Sequence, residues 1–369
     1  MFRDPAEGLP LGAGQARLKV GVLTFHRCIN YGSYWQARCL VEGLRARGAD
    51  AVLLDHDCPQ VERVELRCAM QPLLPTRSSR DDVHAYARKA RAFHEAFAQL
   101  PTSRRFSLHE PAGMEPCDLV VVGSDEVWNF SHPWYGGREL FFGRDMPAPR
   151  KASYAASFGN YDADAGIDPY WADQLGRFDA ISVRDENSLR LIEGALGATP
   201  ELVLDPCLQF PPVPELEVAT DQPPYLAVYG HSFSAAFGCS VRHWAERRHL
   251  RLVSIGYRND WAHDQLLEAG PLDFARLIAG SSAVVTNFFH GCVFALINRK
   301  PFACAVSPYR SNKVRGLART LGAERHLVVD DEAGDGLARV LDEPLAEEIT
   351  AEIVRLRGRS DAYLRSILA

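Results

Sequence analysis

The segment Ala283–Ile297, AVVTNFFHGCVFALI, brings together the residue types best suited to chemistry. An apolar, β-branched run stops at Asn287, two aromatics and His290 follow, and an apolar helical pattern resumes at Gly291. That order predicts a strand, a tight turn and a helix start. In parallel α/β sheets ligands collect beyond the carboxyl ends of the strands, where helix N-termini offer free N–H groups to anions. A histidine placed there can move a proton near neutral pH. Polar loops also fall at residues 26–32, 123–129, 184–187 and 309–315, each at the end of an expected strand or beside an expected helix. They supply His26 as a second proton carrier, and Arg184, Arg310, Lys313 and Arg315 as donors suited to phosphate or carboxylate. Taken singly, such an arginine is an ordinary ion-pair partner and such a histidine a hydrogen-bonded turn residue. Their joint placement at strand ends points to a site.

The elements that must position these loops follow from the apolar pattern. Residues 1–17, rich in Gly, Pro and Ala without a periodic apolar pattern, are expected to be a mobile tail. Residues 18–25 predict a first strand, 33–47 a helix capped by Ser33 and stopped by Gly48, and 51–55 a second strand. Such a βαβ unit implies a parallel sheet with a right-handed crossover. Strands at 118–122, 152–159, 180–183 and 201–204 complete an N-terminal domain over 18–205. Residues 206–224 carry Pro206, Pro211, Pro212, Pro214, Pro223 and Pro224, which deny a helix or central strand and predict a linker. Alternation resumes over 225–344, and 345–369 has a long helical period. The expected fold class is α/β, with two doubly wound Rossmann-like domains facing a cleft and a long C-terminal helix laid over the surface or back onto the first domain. The helical, basic stretch 77–105, which includes Arg88, Lys89 and Arg91, is expected to be a solvated helix face.

Several classes fall away. A net charge of −6 gives no reason to expect nucleic acid or an anionic membrane as partner. No apolar run reaches the length of a membrane span and the first residues lack a leader pattern, so a soluble, cytoplasmic chain is expected. Nine scattered cysteines without a C-x-x-C pair argue against a zinc site or disulfide framework, and no metal is expected. G-x-G-x-x-G, P-loop, G-x-S-x-G and H-E-x-x-H patterns are absent. Cys292, at a helix N-terminus that would lower a thiol pKa, is either a nucleophile or a packed small residue.

The residues also carry a resemblance. Phe25–Ala37, FHRCINYGSYWQA, is similar to the "NYG…LQA" opening of the polysaccharide pyruvyl transferase family. Gly123–Asn129, GSDEVWN, resembles its "GSDQVWN"; Ile181–Asp185 with Asp205-Pro206 resembles "ISVRE…DP"; Thr286–Phe294 resembles "TDSFHGTVFS"; and Ser311–Val314 is similar to its "SRI" region. The five motifs stand in the right order over residues 18–330. The resemblance implies the two-domain arrangement of GT-B glycosyltransferases and transfer of a pyruvyl group from phosphoenolpyruvate to two hydroxyls of a sugar as a ketal, with no further cofactor.

By motif position it implies donor binding by Arg184, acid/base work by His290, and a donor lining that includes Phe289 and Gly291, with Arg310 or Lys313 as a second anion clamp. His26, Asn30, Gln36, Asp125 and Asn129 are candidates for the acceptor wall; Asp125 is equally an Asx-type cap of its loop. Phe288, Cys292, Cys28 and Trp35 depart from the pattern, and Phe288 and Trp35 either shape a more apolar acceptor pocket or simply pack. Two other functions share the fold: a transferase using a nucleotide-activated donor, and a non-catalytic sugar- or partner-binding homologue. Oligomeric state is left open.

Overall fold

The computed structural model describes residues 17–212, 223–306, 311–329 and 334–369. Its first sheet is built from four short strands, β1 (Lys19–Leu23), β2 (Asp50–Leu53), β3 (Leu119–Val122) and β4 (Arg150–Ser153), the first three mainly apolar. All pair in parallel, in the spatial order β2-β1-β3-β4. β3 is Leu-Val-Val-Val with every residue buried, as a parallel strand covered on both faces requires. A two-residue ribbon, Ser182–Val183 against Glu201–Leu202, joins this sheet through a bridge from Ala156 to Val183.

The second sheet has six parallel strands: β5 (Tyr225–Tyr229), β6 (Arg251–Ile255), β7 (Asp264–Leu266), β8 (Ala283–Thr286), β9 (Phe302–Val306) and β10 (Leu327–Val329). Their order is β7-β6-β5-β8-β9-β10. Counted from its own first strand this is the 3-2-1-4-5-6 order of the dinucleotide-binding fold, whose winding reverses between the first and fourth strands. Here that reversal lies between β5 and β8, so the Asn287–His290 turn leaves the sheet at its switch point. The first sheet reverses between β1 and β3, where the 24–32 and 123–129 loops emerge. The α/β fold of two doubly wound halves facing a cleft, GT-B-like in arrangement, is therefore present.

Several boundaries differ from the sequence reading, each for a local reason. The first helix is Tyr31–Arg45, not 33–47, because Asn30 Oδ1 accepts from Gly32 N at 2.8 Å and Ser33 N at 3.2 Å and so caps it two residues early. The expected linker begins as a helical turn, Pro206–Gln209: a proline at the first helical position forfeits no hydrogen bond, and Asp205 Oδ1 accepts from Cys207 N at 3.0 Å. Residues 213–222 of that linker, the 1–16 tail and Arg310 lie outside the described residues.

The Tyr31–Arg45 helix ties the halves together. Tyr31 donates its hydroxyl to Ala269 O at 2.6 Å and stacks on Phe274 at 4.4 Å, while Trp35 Nε1 donates to Pro271 O at 3.0 Å. One apolar cluster runs through both halves, from Val20 and Leu40 to Phe274, Phe294 and Leu364. The C-terminal helix Glu347–Leu368 crosses back onto the first half, where Ser360 Oγ accepts from Leu204 N at 2.9 Å and the Tyr363 hydroxyl donates to Ser153 O at 2.7 Å. No helix among the described residues is long and apolar enough to cross a membrane.

Candidate active site

Between the two switch points lies a cavity of 440 Å³. Asn30, Ser33, Asp125, Glu126 and Arg184 line it from the first half, and His231, Tyr257, Phe288, Phe289, His290 and Lys313 from the second, with Lys89 reaching in from the Arg80–Phe97 helix.

His290 is the second residue of the Phe289–Ile297 helix. Thr286 shapes the turn before it: its hydroxyl donates to Tyr229 O at 2.6 Å and accepts from Phe288 N at 3.0 Å. Asn287 Nδ2 donates to His231 O at 2.7 Å and ties the loops after β5 and β8 across the switch point. The imidazole packs against the backbone of Gly32, where a Cβ would stand 2.0 Å from Nδ1. Only glycine leaves that room, so two sequence motifs 258 positions apart meet at one ring. His290 Nε2 lies 3.6 Å from Asp205 Oδ2, an ion-pair distance beyond hydrogen-bond reach, and Nε2 has no hydrogen-bond partner among the described residues.

Arg184 is buried beside it. One guanidinium nitrogen donates to Asp205 Oδ2 at 2.9 Å and Ser124 Oγ at 3.1 Å, the other approaches Asp125 Oδ1 at 3.4 Å, and the plane lies 4.8 Å over the Phe289 ring. Burial opposes the charge, but Asp205 and Asp125 more than offset it and hold Arg184 above its ordinary range. Reciprocally, against the burial that would raise it, His290 and Arg184 keep Asp205 well below the usual carboxylate range. Arg184 Nε has no hydrogen-bond partner among the described residues, which leaves this guanidinium one directed donor unspent.

Lys313 is paired with Glu126, whose other oxygen accepts from Asn129 Nδ2 at 2.7 Å. Burial would raise the Glu126 carboxyl, yet Lys313 and Arg184 bring it down to about 2. Asp125, at φ 75°, accepts from Ser33 Oγ at 2.7 Å and from Glu126 N at 2.9 Å. It thus lines the cavity and props its own loop.

Of the residues singled out from sequence, Arg184, Phe289, His290, Lys313, Asn30 and Asp125 reach the cavity. Four others are placed elsewhere. His26 is buried against Asp55, Nε2 to Oδ1 at 3.1 Å, and Arg27 shares the same carboxylate, so its ring serves a buried ion pair behind the cleft. Gln36 donates to Thr24 Oγ1 at 2.9 Å within the core. Asn129 braces Glu126. Gly291 backs the turn, its Cα against Thr286 Oγ1 where a Cβ would stand 2.0 Å away. Among the departures, Trp35 packs between the halves, whereas Phe288 lines the cavity in an aromatic group with Tyr229 at 5.0 Å and Tyr257 at 5.5 Å. Cys292 is buried, and the neighbouring Cys304 together with desolvation pushes the thiol well up, which speaks against the nucleophile reading.

Sequence reasoning missed Lys89. It is not on a solvated face but buried in the cavity, its ammonium donating to Gly256 O at 3.0 Å and lying 4.8 Å over Tyr31 and 4.4 Å over Tyr257. The signal was its spacing, three residues after Tyr86 and four before Phe93, which puts it on the helix's apolar stripe.

Asp205, Cys207 and His290 offer ligand atoms within 4.8 Å of one another, as a metal site could. Both Asp205 oxygens are already engaged, one by Arg184 and one by Cys207 N, and a dication there would stand beside a fixed guanidinium. The arrangement suits an anion held by Arg184 with a proton carrier at its side.

The family model described as polysaccharide pyruvyl transferase matches residues 30–307. No curated protein sequence matches the chain. Among solved structures, Thermobaculum terrenum O-GlcNAc transferase is similar at 14% identity and TM-score 0.40, over 95% of this chain, which spans only 64% of that one. The glycotransferase of kitacinnamycin is similar at 14% identity and TM-score 0.46, over 96% of this chain and 100% of that one. UDP-GlcNAc 2-epimerase from Methanocaldococcus jannaschii is similar at 12% identity and TM-score 0.47, over 89% and 93% of the two chains. With a model match across most of its length, including the loops that meet at His290, the chain belongs to the polysaccharide pyruvyl transferase family.

Proposed function

We propose that the protein transfers a pyruvyl group from phosphoenolpyruvate to two hydroxyls of a sugar or glycan precursor, forming a ketal and releasing phosphate. The observation that carries this reading is the convergence of Arg184, stacked on Phe289 with Nε unspent, and His290, with Nε2 unspent, on one cavity wall. Phosphoenolpyruvate brings a phosphate and a carboxylate, which a planar guanidinium binds well. Its enol C3 must gain a proton before C2 becomes electrophilic, and an imidazole is suited to supply it.

The steps balance without a cofactor. C3 takes a proton and becomes a methyl group; the first acceptor hydroxyl forms a bond to C2 and loses its proton; the C2–O bond to phosphate breaks; the second hydroxyl closes the ketal and gives up its proton. One of the two hydroxyl protons replaces the one consumed at C3, the other leaves with phosphate. Arg184 would hold the donor's anionic groups and stabilise the departing phosphate, and His290, its ring held against Gly32, would pass the proton. Gly291 and Lys313 would line or back the donor, the Lys313 charge being largely taken up by Glu126. Asn30 and Asp125 would face the acceptor.

The test is phosphate release from phosphoenolpyruvate with a panel of sugar acceptors. His290→Ala and Arg184→Lys should each lower turnover by about 10²-fold or more while the fold, checked by circular dichroism, is kept. Unchanged turnover in either variant would remove that residue from the mechanism, and a thermal shift with nucleoside diphosphates but none with phosphoenolpyruvate would replace the donor.

A further inference from the structure

The cavity's cations are not equivalent. Arg184 has Asp205 and Asp125, and Lys313 has Glu126. Lys89 has no carboxylate partner among the described residues; its contacts are one backbone carbonyl and the faces of two tyrosines. It is only 4% exposed, and burying an ammonium without a counter-ion is costly. That cost shows in its acidity, since desolvation pulls the ammonium down to about 7. An oxyanion beside it would recover the missing electrostatic energy, and Tyr257, which lines the cavity next to it, offers an aromatic surface to whatever carries that anion.

Lys89 also lies away from the donor residues. Gly256 directly follows β6, and the His290 turn follows β8, with β5 between them. Two strand spacings make about 10 Å, which sets the Gly256 end of the cleft apart from the His290 turn.

Resting on the donor assignment above, we propose that Lys89, framed by Tyr31 and Tyr257, is a specificity-determining subsite for an oxyanion on the acceptor. The acceptor is thus a negatively charged sugar derivative, bearing a carboxylate or phosphate beside the hydroxyls that react, and not a neutral glycan.

Two probes that differ in one group test this: para-nitrophenyl glucoside and para-nitrophenyl glucuronide, titrated calorimetrically into the full-length protein saturated with phosphoenolpyruvate. A charge-assisted contact predicts about tenfold or tighter binding of the glucuronide by the unmutated protein, a comparison that requires no variant to fold. Lys89→Met should erase that preference and Lys89→Arg should keep most of it, with phosphoenolpyruvate affinity within about twofold in both, the remote site leaving the donor contacts in place. Equal binding of the two probes by the unmutated protein would overturn the subsite. So would a preference that survives Lys89→Met, or a Lys89→Met variant that loses phosphoenolpyruvate affinity instead, since the anion held would then be the donor's. Failure of phosphoenolpyruvate to bind at all overturns the donor reading, and the probe preference, measured without it, still reports on Lys89.

Discussion

At the β8 end of the cleft, positive charge is embedded in carboxylates: Arg184 between Asp205 and Asp125, Lys313 on Glu126. At the β6 end, Lys89 rests on aromatic faces and a backbone carbonyl. The first arrangement fixes side chains in place whether or not a ligand is present, as preorganised chemistry requires. The second leaves an electrostatic demand that a ligand can meet. On the proposed function the contrast separates a wall that reacts from a wall that selects, and substitutions on each should have different readouts.

On the reacting wall the largest loss is expected for His290→Ala. Removing a positioned proton carrier costs about 10²- to 10⁴-fold in turnover, with phosphoenolpyruvate binding retained through Arg184; steady-state kinetics beside a binding titration checks it. Gly32→Ala comes next. Its new Cβ would fall 2.0 Å from His290 Nδ1, so the ring must shift, and a displacement of about 1 Å costs about 10²-fold. Turnover should collapse in this variant although Gly32 lies in the other half of the molecule. Unchanged activity would mean that the ring's position against Gly32 is not the working one.

Lys313→Met should act more on stability than on chemistry, because it leaves Glu126 half-buried without its cation, at a cost of about 1–3 kcal/mol. The same pair gives a pH signature. The Glu126 carboxyl sits near 2 in the folded protein against an ordinary value of 4.5, so the folded state holds that proton more weakly than the unfolded chain. The pair's contribution is complete above about pH 4.5 and is lost as pH falls toward 2. Urea midpoints measured from pH 5.5 downward should therefore decline more steeply in the unmutated protein than in Glu126→Gln. The smallest effect is expected for Cys292→Ala. The thiol is buried with its pKa pushed up, so turnover should be unchanged and stability should fall by about 1 kcal/mol from lost packing.

How far the sequence reaches follows from the kind of signal each feature leaves. Strands buried on both faces, such as β3 and β8, announce themselves as continuous apolar runs, and Ala283–Thr286 stops before Asn287 as its sequence predicts. Short edge strands do not: β7, Asp-Gln-Leu, has no apolar run to see. Pro206 opens the segment whose prolines predict a linker, although Asp followed by Pro is also a helix cap and first residue, and there it is one. In the site, Arg184, Phe289 and His290 were legible because each ends a strand or begins a helix. His26 and Gln36 shared that address yet turn into the core, since loop position fixes where a residue's backbone lies and not which side its side chain takes. Glu126 stands where the quoted family motif has Gln, and its capture of Lys313 depends on a partner 187 residues away. Lys89 was hidden by its neighbours: six other basic residues in 77–105 made a solvated face the natural expectation, and only its register on the apolar stripe distinguishes it.

The measurement that bears most directly on the central claim is phosphate release from phosphoenolpyruvate in the presence of hydroxylated sugar acceptors, with the product examined by mass spectrometry for a pyruvate ketal. The account predicts acceptor-dependent phosphate release, a ketal on the acceptor, and a drop of about 10²-fold or more in the rate of both in His290→Ala. Release that needs no acceptor, a ketal that forms at an undiminished rate in His290→Ala, or no reaction with phosphoenolpyruvate across neutral and anionic acceptors alike would contradict it.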